Sequence, residues 1–221
     1  MPTEVKICGL SDEEGVDAAL DAGADLVGFN FFPPSPRYVS PARAKQLADR
    51  TRGKARIVAV TVDADDAMLE KIVDAIDPDF LQLHGKESPE RLAAIRARSG
   101  RAIIKAIGIA ERADLAAAER YAAAEKLLLD TKPPKNATRP GGNAVSFDWS
   151  ILEGFSSPRP WLLAGGLHSE NIADALGVSG ATAVDVSSGV ESAPGKKDAA
   201  LIHAFVAAVR ACDRPARRRA G

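Results

Sequence analysis

The chain has 221 residues, 46% of them hydrophobic and 27% charged, with a formal net charge of −1. That hydrophobic content excludes a disordered polypeptide, and the near-neutral charge gives no ground for a nucleic-acid or membrane-surface partner. The longest apolar runs fall far short of the roughly 20 residues of a membrane span, and two cysteines, Cys8 and Cys212 at opposite ends, make no disulfide framework.

Met1-Pro2-Thr3-Glu4 carries no signal-peptide pattern and runs straight into an apolar segment from Val5. With the cysteine count, this makes a reducing cytoplasm the expected location. Further β-branched or apolar runs begin near Leu26, Ile57, Phe80, Ile103, Leu127, Trp161 and Ala183. Between them lie Ala-rich amphipathic stretches at Asp12 to Ala22, Pro41 to Thr51, Asp65 to Ile76, Ser88 to Arg98 and Ala199 to Ala211. Ser11, Ser40 and Ser88 stand at expected N-caps, and Pro41 and Pro89 follow two of them at the first helical position. The strand starts recur mostly every 20–25 residues, the length of a strand, a helix and two short loops. Eight such units predict an α/β fold, a single-domain (βα)8 TIM barrel over residues 1–211. Residues 212–221 form a basic C-terminal tail, expected to be solvated and flexible. A doubly wound open sheet is the alternative, but no G-x-G-x-x-G follows the first strand.

Two connections after strands are long: Phe32 to Ser40 after strand 2, and Lys132 to Ser146 after strand 6. The second is rich in proline and glycine and is expected to close over a substrate. Two glycine turns follow strands 7 and 8: Ala164-Gly165-Gly166-Leu167 and Ser187-Ser188-Gly189. In a (βα)8 barrel the loops after strands 7 and 8 are the usual phosphate seat, because backbone N–H groups and helix dipoles both favour an anion.

Alternation along the strands places Cys8, Asn30, His84 and Asp130 around the mouth, at the C-terminal strand ends. Lys6 and Asp185 fall deeper, on strands that are neighbours in a closed barrel, and a buried charge needs a partner, so they are expected to pair. Arg37 sits in the loop stiffened by Pro33, Pro34 and Pro36, where a rigidly held guanidinium can meet a carboxylate bidentately. His84 either orients or shuttles a proton or makes a structural hydrogen bond. No His/Cys/carboxylate spacing suggests a metal site.

These segments, in this order, carry a family likeness. The chain resembles the phosphoribosylanthranilate isomerases through Val5-Lys6-Ile7-Cys8-Gly9-Leu10, Gly28-Phe29-Asn30-Phe31, Ser35-Pro36-Arg37-Tyr38-Val39 and Leu81-Gln82-Leu83-His84-Gly85. The likeness continues through Leu127 to Asp130, Phe147-Asp148-Trp149, Ala164 to Leu167 with Glu170-Asn171, and Asp185 to Glu191 with Pro194 to Asp198. It departs after strand 6, where the family usually has Gly-Gly-Thr-Gly and this chain has Gly141-Gly142-Asn143-Ala144.

The resemblance implies an Amadori rearrangement of N-(5-phosphoribosyl)anthranilate to a 1-deoxyketose phosphate, with no cofactor and no metal. It implies Cys8 as general base and Asp130 as general acid, with Arg37, His84, Gly142, Gly165, Gly166, Leu167, Ser187, Ser188 and Gly189 around a small phosphorylated substrate. A thiol of pKa about 8.5 is only a few per cent thiolate at neutral pH, so the site is expected either to lower that value or to rely on an easily deprotonated iminium. As an acid, Asp130 must hold its proton, which burial beneath the strand-6 loop favours. A monomer or weak homodimer is expected, without nucleic-acid or membrane partners. Two competing readings are a phosphate-binding synthase barrel using Lys and Glu, for which Lys105 is the tempting residue, and a non-catalytic sugar-phosphate binder.

Overall fold

Eight parallel strands close on themselves, each hydrogen-bonded to the next and the eighth to the first. They are β1 (Glu4–Cys8), β2 (Leu26–Asn30), β3 (Arg56–Thr61), β4 (Phe80–Leu83), β5 (Ala102–Ile109), β6 (Lys126–Thr131), β7 (Trp161–Leu163) and β8 (Ala183–Val186). The structure, a computed structural model, describes residues 1–132 and 146–213. Strand starts agree with the sequence reading to within a residue, because a strand buried on both faces reads as an apolar run whatever its partners.

The first four crossovers are α1 (Glu13–Asp21), α2 (Pro41–Thr51), α3 (Asp66–Ile76) and α4 (Pro89–Ser99); α5 (Ile172–Ser179) links β7 to β8, and α6 (Ala199–Cys212) closes the chain. Ser40 and Ser88 cap α2 and α4 as expected, each accepting from the N–H three residues on. At α1 the cap is Asp12 rather than Ser11. Asp12 Oδ1 accepts from the Gly15 N–H at 2.8 Å, and a carboxylate adds charge complementarity to the helix N-terminus that a hydroxyl lacks. The β5–β6 and β6–β7 connections also differ from a uniform strand–helix repeat, being 3₁₀ segments at Arg112–Arg120 and Trp149–Leu152. In the first, only Leu115 and Ala118 are buried. Three-residue spacing suits three residues per turn and gives an α-helix too little apolar face.

Two apolar layers result. One, between strands and helices, includes Ile7, Phe29, Leu47, Ile72 and Phe205. The other fills the barrel with Leu26, Val58, Phe80, Ile104, Leu128 and Leu162. At the N-terminal end Glu4 pairs with Arg56 and Lys126, whose cations lie 5.7 and 5.9 Å from the centre of the Phe80 ring. That end is therefore plugged by charge pairs, leaving the C-terminal end for chemistry. Beyond β8, a Pro194-Gly195 turn joins β9 (Glu191–Ala193) and β10 (Lys196–Lys197) in an antiparallel hairpin.

Candidate active site

The mouth gathers side chains from strands far apart in sequence. Cys8 ends β1, buried at 8% exposure, and Asp130 lies near the end of β6 at 7%. Both point inward, sharing the alternation of the barrel's inner layer. Asp130 Oδ1 accepts from the Thr131 N–H at 2.8 Å. Its Oδ2 is 3.2 Å from His84 Nε2. The Gln82 side-chain amide donates to His84 Nδ1 at 3.0 Å, which holds the ring with its Nε2 edge toward Asp130. His84 thus orients Asp130 instead of standing alone at the mouth. The Thr131 N–H is the hydrogen-bond donor on this carboxyl, with the His84 ring beside its other oxygen.

Burial pushes the Cys8 thiol up, and the Lys6 ammonium pulls against it without reversing the shift. Of the two expected routes to a basic sulfur, a lowered thiol value is not the one that this burial favours. What remains is the acidity of a substrate iminium. Lys6 and Asp185 pair as expected, with Nζ donating to Oδ1 at 2.7 Å.

Arg37 is buried, at 4% exposure, and its guanidinium is already held. Nε and Nη2 donate to Glu191 Oε1 and Oε2 at 2.7 and 2.8 Å. Glu191 also accepts from Lys197 Nζ at 2.7 Å and from the Gly195 N–H at 3.2 Å. Burial alone would raise the Glu191 carboxyl, but the Arg37 and Lys197 contacts outweigh it and hold the group below its ordinary range. A guanidinium has five N–H bonds in a planar fork. Glu191 takes two along one edge, so a carboxylate ligand can be met bidentately only along the edge between Nη1 and Nη2.

The glycine turns are placed as expected. Gly165 and Gly166 adopt φ of +91° and +63°, which turns the chain out of β7. Asn171 pins this loop: its Oδ1 accepts from the His168 N–H at 2.8 Å and its amide donates to the Gly166 carbonyl at 2.9 Å. Ser188 and Gly189 open a 3₁₀ turn after β8, whose first N–H groups lack partners within the turn. A Cβ on Gly189 would lie 1.9 Å from the Leu167 carbonyl oxygen, so the two turns abut. Ser187 has a different part. Its hydroxyl donates to the Cys8 carbonyl at 3.0 Å and its own carbonyl accepts from Lys197 at 2.9 Å, tying the hairpin to the C-terminal end of β1. Asn30 accepts from the Phe32 N–H at 2.8 Å and shapes the loop after β2. Gly142, the Asn143-Ala144 departure and the closing motion expected of the strand-6 loop lie outside the described residues.

Lys105 is excluded from the mouth. It shares the outward face of β5 with Ile103 and Ile107 of the outer layer, and donates to Glu87 Oε2 and the Gly85 carbonyl, both at 2.7 Å. Sequence reasoning gave no role to Glu191 or Lys197. The available signal was an acid and a base flanking Pro194-Gly195, which reads as a hairpin bringing the two together.

The closed barrel and the polar ring at its C-terminal mouth define a (βα)8-barrel enzyme. The family model for N-(5'-phosphoribosyl)anthranilate (PRA) isomerase matches residues 5–208. Curated relatives named N-(5'-phosphoribosyl)anthranilate isomerase include that of Paramagnetospirillum magneticum, 55% identical over 211 residues, covering 95% of this chain and 98% of the relative. That of Rhodospirillum rubrum is 56% identical over 213 residues, covering 94% and 98%. Among solved structures, phosphoribosyl anthranilate isomerase from Thermotoga maritima aligns with a TM-score of 0.85 at 36% identity, covering 95% of this chain and 99% of that one. Another, solved in complex with reduced 1-(o-carboxyphenylamino)-1-deoxyribulose 5-phosphate, aligns at 0.81 and 34%, with the same coverage. The chain belongs to the phosphoribosylanthranilate isomerase family.

Proposed function

We propose that this protein isomerises N-(5-phosphoribosyl)anthranilate to 1-(2-carboxyphenylamino)-1-deoxyribulose 5-phosphate, an Amadori rearrangement in tryptophan biosynthesis. The observation that carries the reading is the placement of a thiol and a carboxyl on the inner face, at the C-terminal ends of β1 and β6. A relative solved with the reduced product supports the substrate class.

The chemistry is a series of proton transfers. Asp130, oriented by His84, delivers a proton to the furanose ring oxygen. The C1–O bond breaks as the nitrogen lone pair forms the C1=N iminium. Cys8 then removes the proton from C2. The C–H electrons become the C1=C2 bond, and the C1=N electrons return to nitrogen. The resulting enolamine takes a proton at C1 as its C2 hydroxyl becomes the ketone. The cationic iminium beside the sulfur favours the thiolate at the moment when it is needed.

Arg37, braced by Glu191, faces the anthranilate carboxylate with its remaining edge. Gly165, Gly166, Leu167, Ser188 and Gly189 seat the phosphate. Ser187 supports that seat through the Cys8 carbonyl. The protein acts in the cytoplasm as a monomer or weak homodimer. In support of the small assembly, the large hydrophobics exposed among the described residues are few, Met1, Tyr38, Val178 and Leu201. A turnover assay of the purified protein on phosphoribosylanthranilate tests the whole reading. Absence of turnover with phosphate binding intact would leave only a sugar-phosphate binder.

A further inference from the structure

The acid–base scheme leaves the buried charge pair beneath the thiol without a part in the reaction. Lys6 precedes Cys8 by two residues on β1, on the same inner face, and is fully buried. Its partner Asp185 lies opposite it in the β1–β8 register, 2.7 Å away. A buried ion pair is a poor source of stability, because desolvation offsets the attraction. Its place beneath the thiol suggests another use. A Cβ built on Gly28, which pairs with Cys8 across β1 and β2, would stand 3.1 Å from Cys8 Sγ and 3.2 Å from Lys6 Nζ. Sulfur and ammonium therefore border one small space and lie within about 6 Å of each other.

We propose that Lys6, held by Asp185, is a positioning residue for the reaction, the fixed counter-charge that admits the thiolate of Cys8. The proposal rests on the assignment of Cys8 as the base. Burial pushes the thiol up; the Lys6 ammonium opposes this, and acts on the sulfur more strongly than the Asp185 carboxylate does in the other direction. Burial would also discharge Lys6, but the Asp185 carboxylate, with its hydrogen bond and the nearby sulfur, outweighs that and raises the ammonium above its ordinary value. Asp185 thus keeps the cation charged and fixes where it sits. Of the other nearby cations, Lys197 acts on the thiol less strongly than Lys6 does. Lys197 on β10 is bound to Glu191 and to the Ser187 carbonyl. Arg37, whose stem passes over Gly9, is bound by the same Glu191. From β2 the neighbour is Gly28, with no side chain. Lys6 is the cation directly below the sulfur, on its own strand.

The test uses the full chain with Cys212→Ser, so that alkylation reports Cys8 alone. Iodoacetamide alkylation rate against pH reads the thiolate fraction, and kcat/KM against pH is measured on the same samples. Lys6→Met is expected to move the alkylation midpoint up by about one pH unit or more, a roughly tenfold slower reaction at neutral pH. The acid limb of kcat/KM is expected to move with it. The double variant Lys6→Met/Asp185→Leu strands no charge and is expected to shift the same way, which guards against misfolding of the single variant. Lys6→Arg restores the charge and is expected to return both profiles toward the parent. An unchanged alkylation profile in either folded charge-removal variant overturns the proposal. A shifted thiol with an unmoved turnover profile also overturns it, by removing Lys6 from the reaction. Failure of the underlying base assignment is recognised separately, by Cys8→Ala retaining turnover.

Discussion

Replacing Gly189 by alanine tests the phosphate seat where its geometry is tightest. The new methyl would lie 1.9 Å from the Leu167 carbonyl oxygen, 2.9 Å from its carbon and 3.1 Å from His168 Cβ. Carbon and oxygen settle no closer than about 3.3 Å, so the turns after β7 and β8 must part by roughly 1.4 Å. The obstacle is backbone, and no rotamer change relieves it. The loop after β7 is pinned by Asn171 to both His168 and Gly166, so a retreat of Leu167 disturbs the whole anion seat. One charge-assisted hydrogen bond is worth about 1.5–3 kcal/mol. Losing one such contact weakens binding by roughly 10- to 150-fold. Calorimetric titration with inorganic phosphate and with the reduced product is expected to show both ligands weakened together. kcat/KM should fall more than kcat, since Cys8 and Asp130 are untouched. Gly177→Ala on α5 is the control: its Cβ meets nothing within 4 Å, and it should leave affinity unchanged. A folded Gly189→Ala protein binding both ligands within twofold of the parent would refute the seat.

Cys8→Ala and Asp130→Asn should each lower kcat by roughly 100-fold or more while circular dichroism and melting remain near the parent's; retention of most turnover by either would end the acid–base assignment. Glu191→Gln should raise KM for the substrate several-fold and change inorganic phosphate affinity less, because it loosens Arg37 directly and reaches the turn after β8 only through Lys197 and the Ser187 carbonyl; an equal loss in both would argue for general damage. Because the Glu191 carboxyl is held below its ordinary range in the folded state, its contribution to stability is present above the unfolded value and lost as pH falls through the folded one. Urea unfolding should therefore show the gap between parent and Glu191→Gln narrowing as pH drops below about 4.5, and a gap that widens there would contradict the sign. Lys105→Met/Glu87→Leu should keep turnover within a few-fold, since both residues lie outside the barrel; a collapse of kcat in a folded double variant would reopen the lysine-based reading.

The barrel was legible because its strands and helices announce themselves locally. Apolar runs about 20–25 residues apart, serine and aspartate caps and prolines at the first turn are properties of short segments, and closure of eight such units follows from them. Alternation likewise put Cys8, His84 and Asp130 at the mouth and paired Lys6 with Asp185, since a two-residue period survives in any flanking fold. The 3₁₀ crossover at Arg112–Arg120 was less legible: its Ala-rich composition suits an α-helix, and that only Leu115 and Ala118 are buried is decided by packing.

Other features depended on contacts between distant segments. Arg37 and Glu191 are 154 positions apart, and no local pattern says that a loop arginine will meet a carboxylate from a hairpin after β8. Nor does sequence say that Ser187 will reach the Cys8 carbonyl rather than a ligand. The acid–base states were the least visible. Whether Cys8 is a thiol or a thiolate, and whether Asp130 donates or accepts, depends on burial and on charges a few ångströms away. Several of those charges, Asp185 and Lys197 beside Cys8 among them, lie far along the chain and become neighbours only when the barrel closes. Residue types, their order and their strand positions are set along one dimension and can be read there; electrostatic environment is set by three-dimensional proximity, and only the tertiary structure decides it.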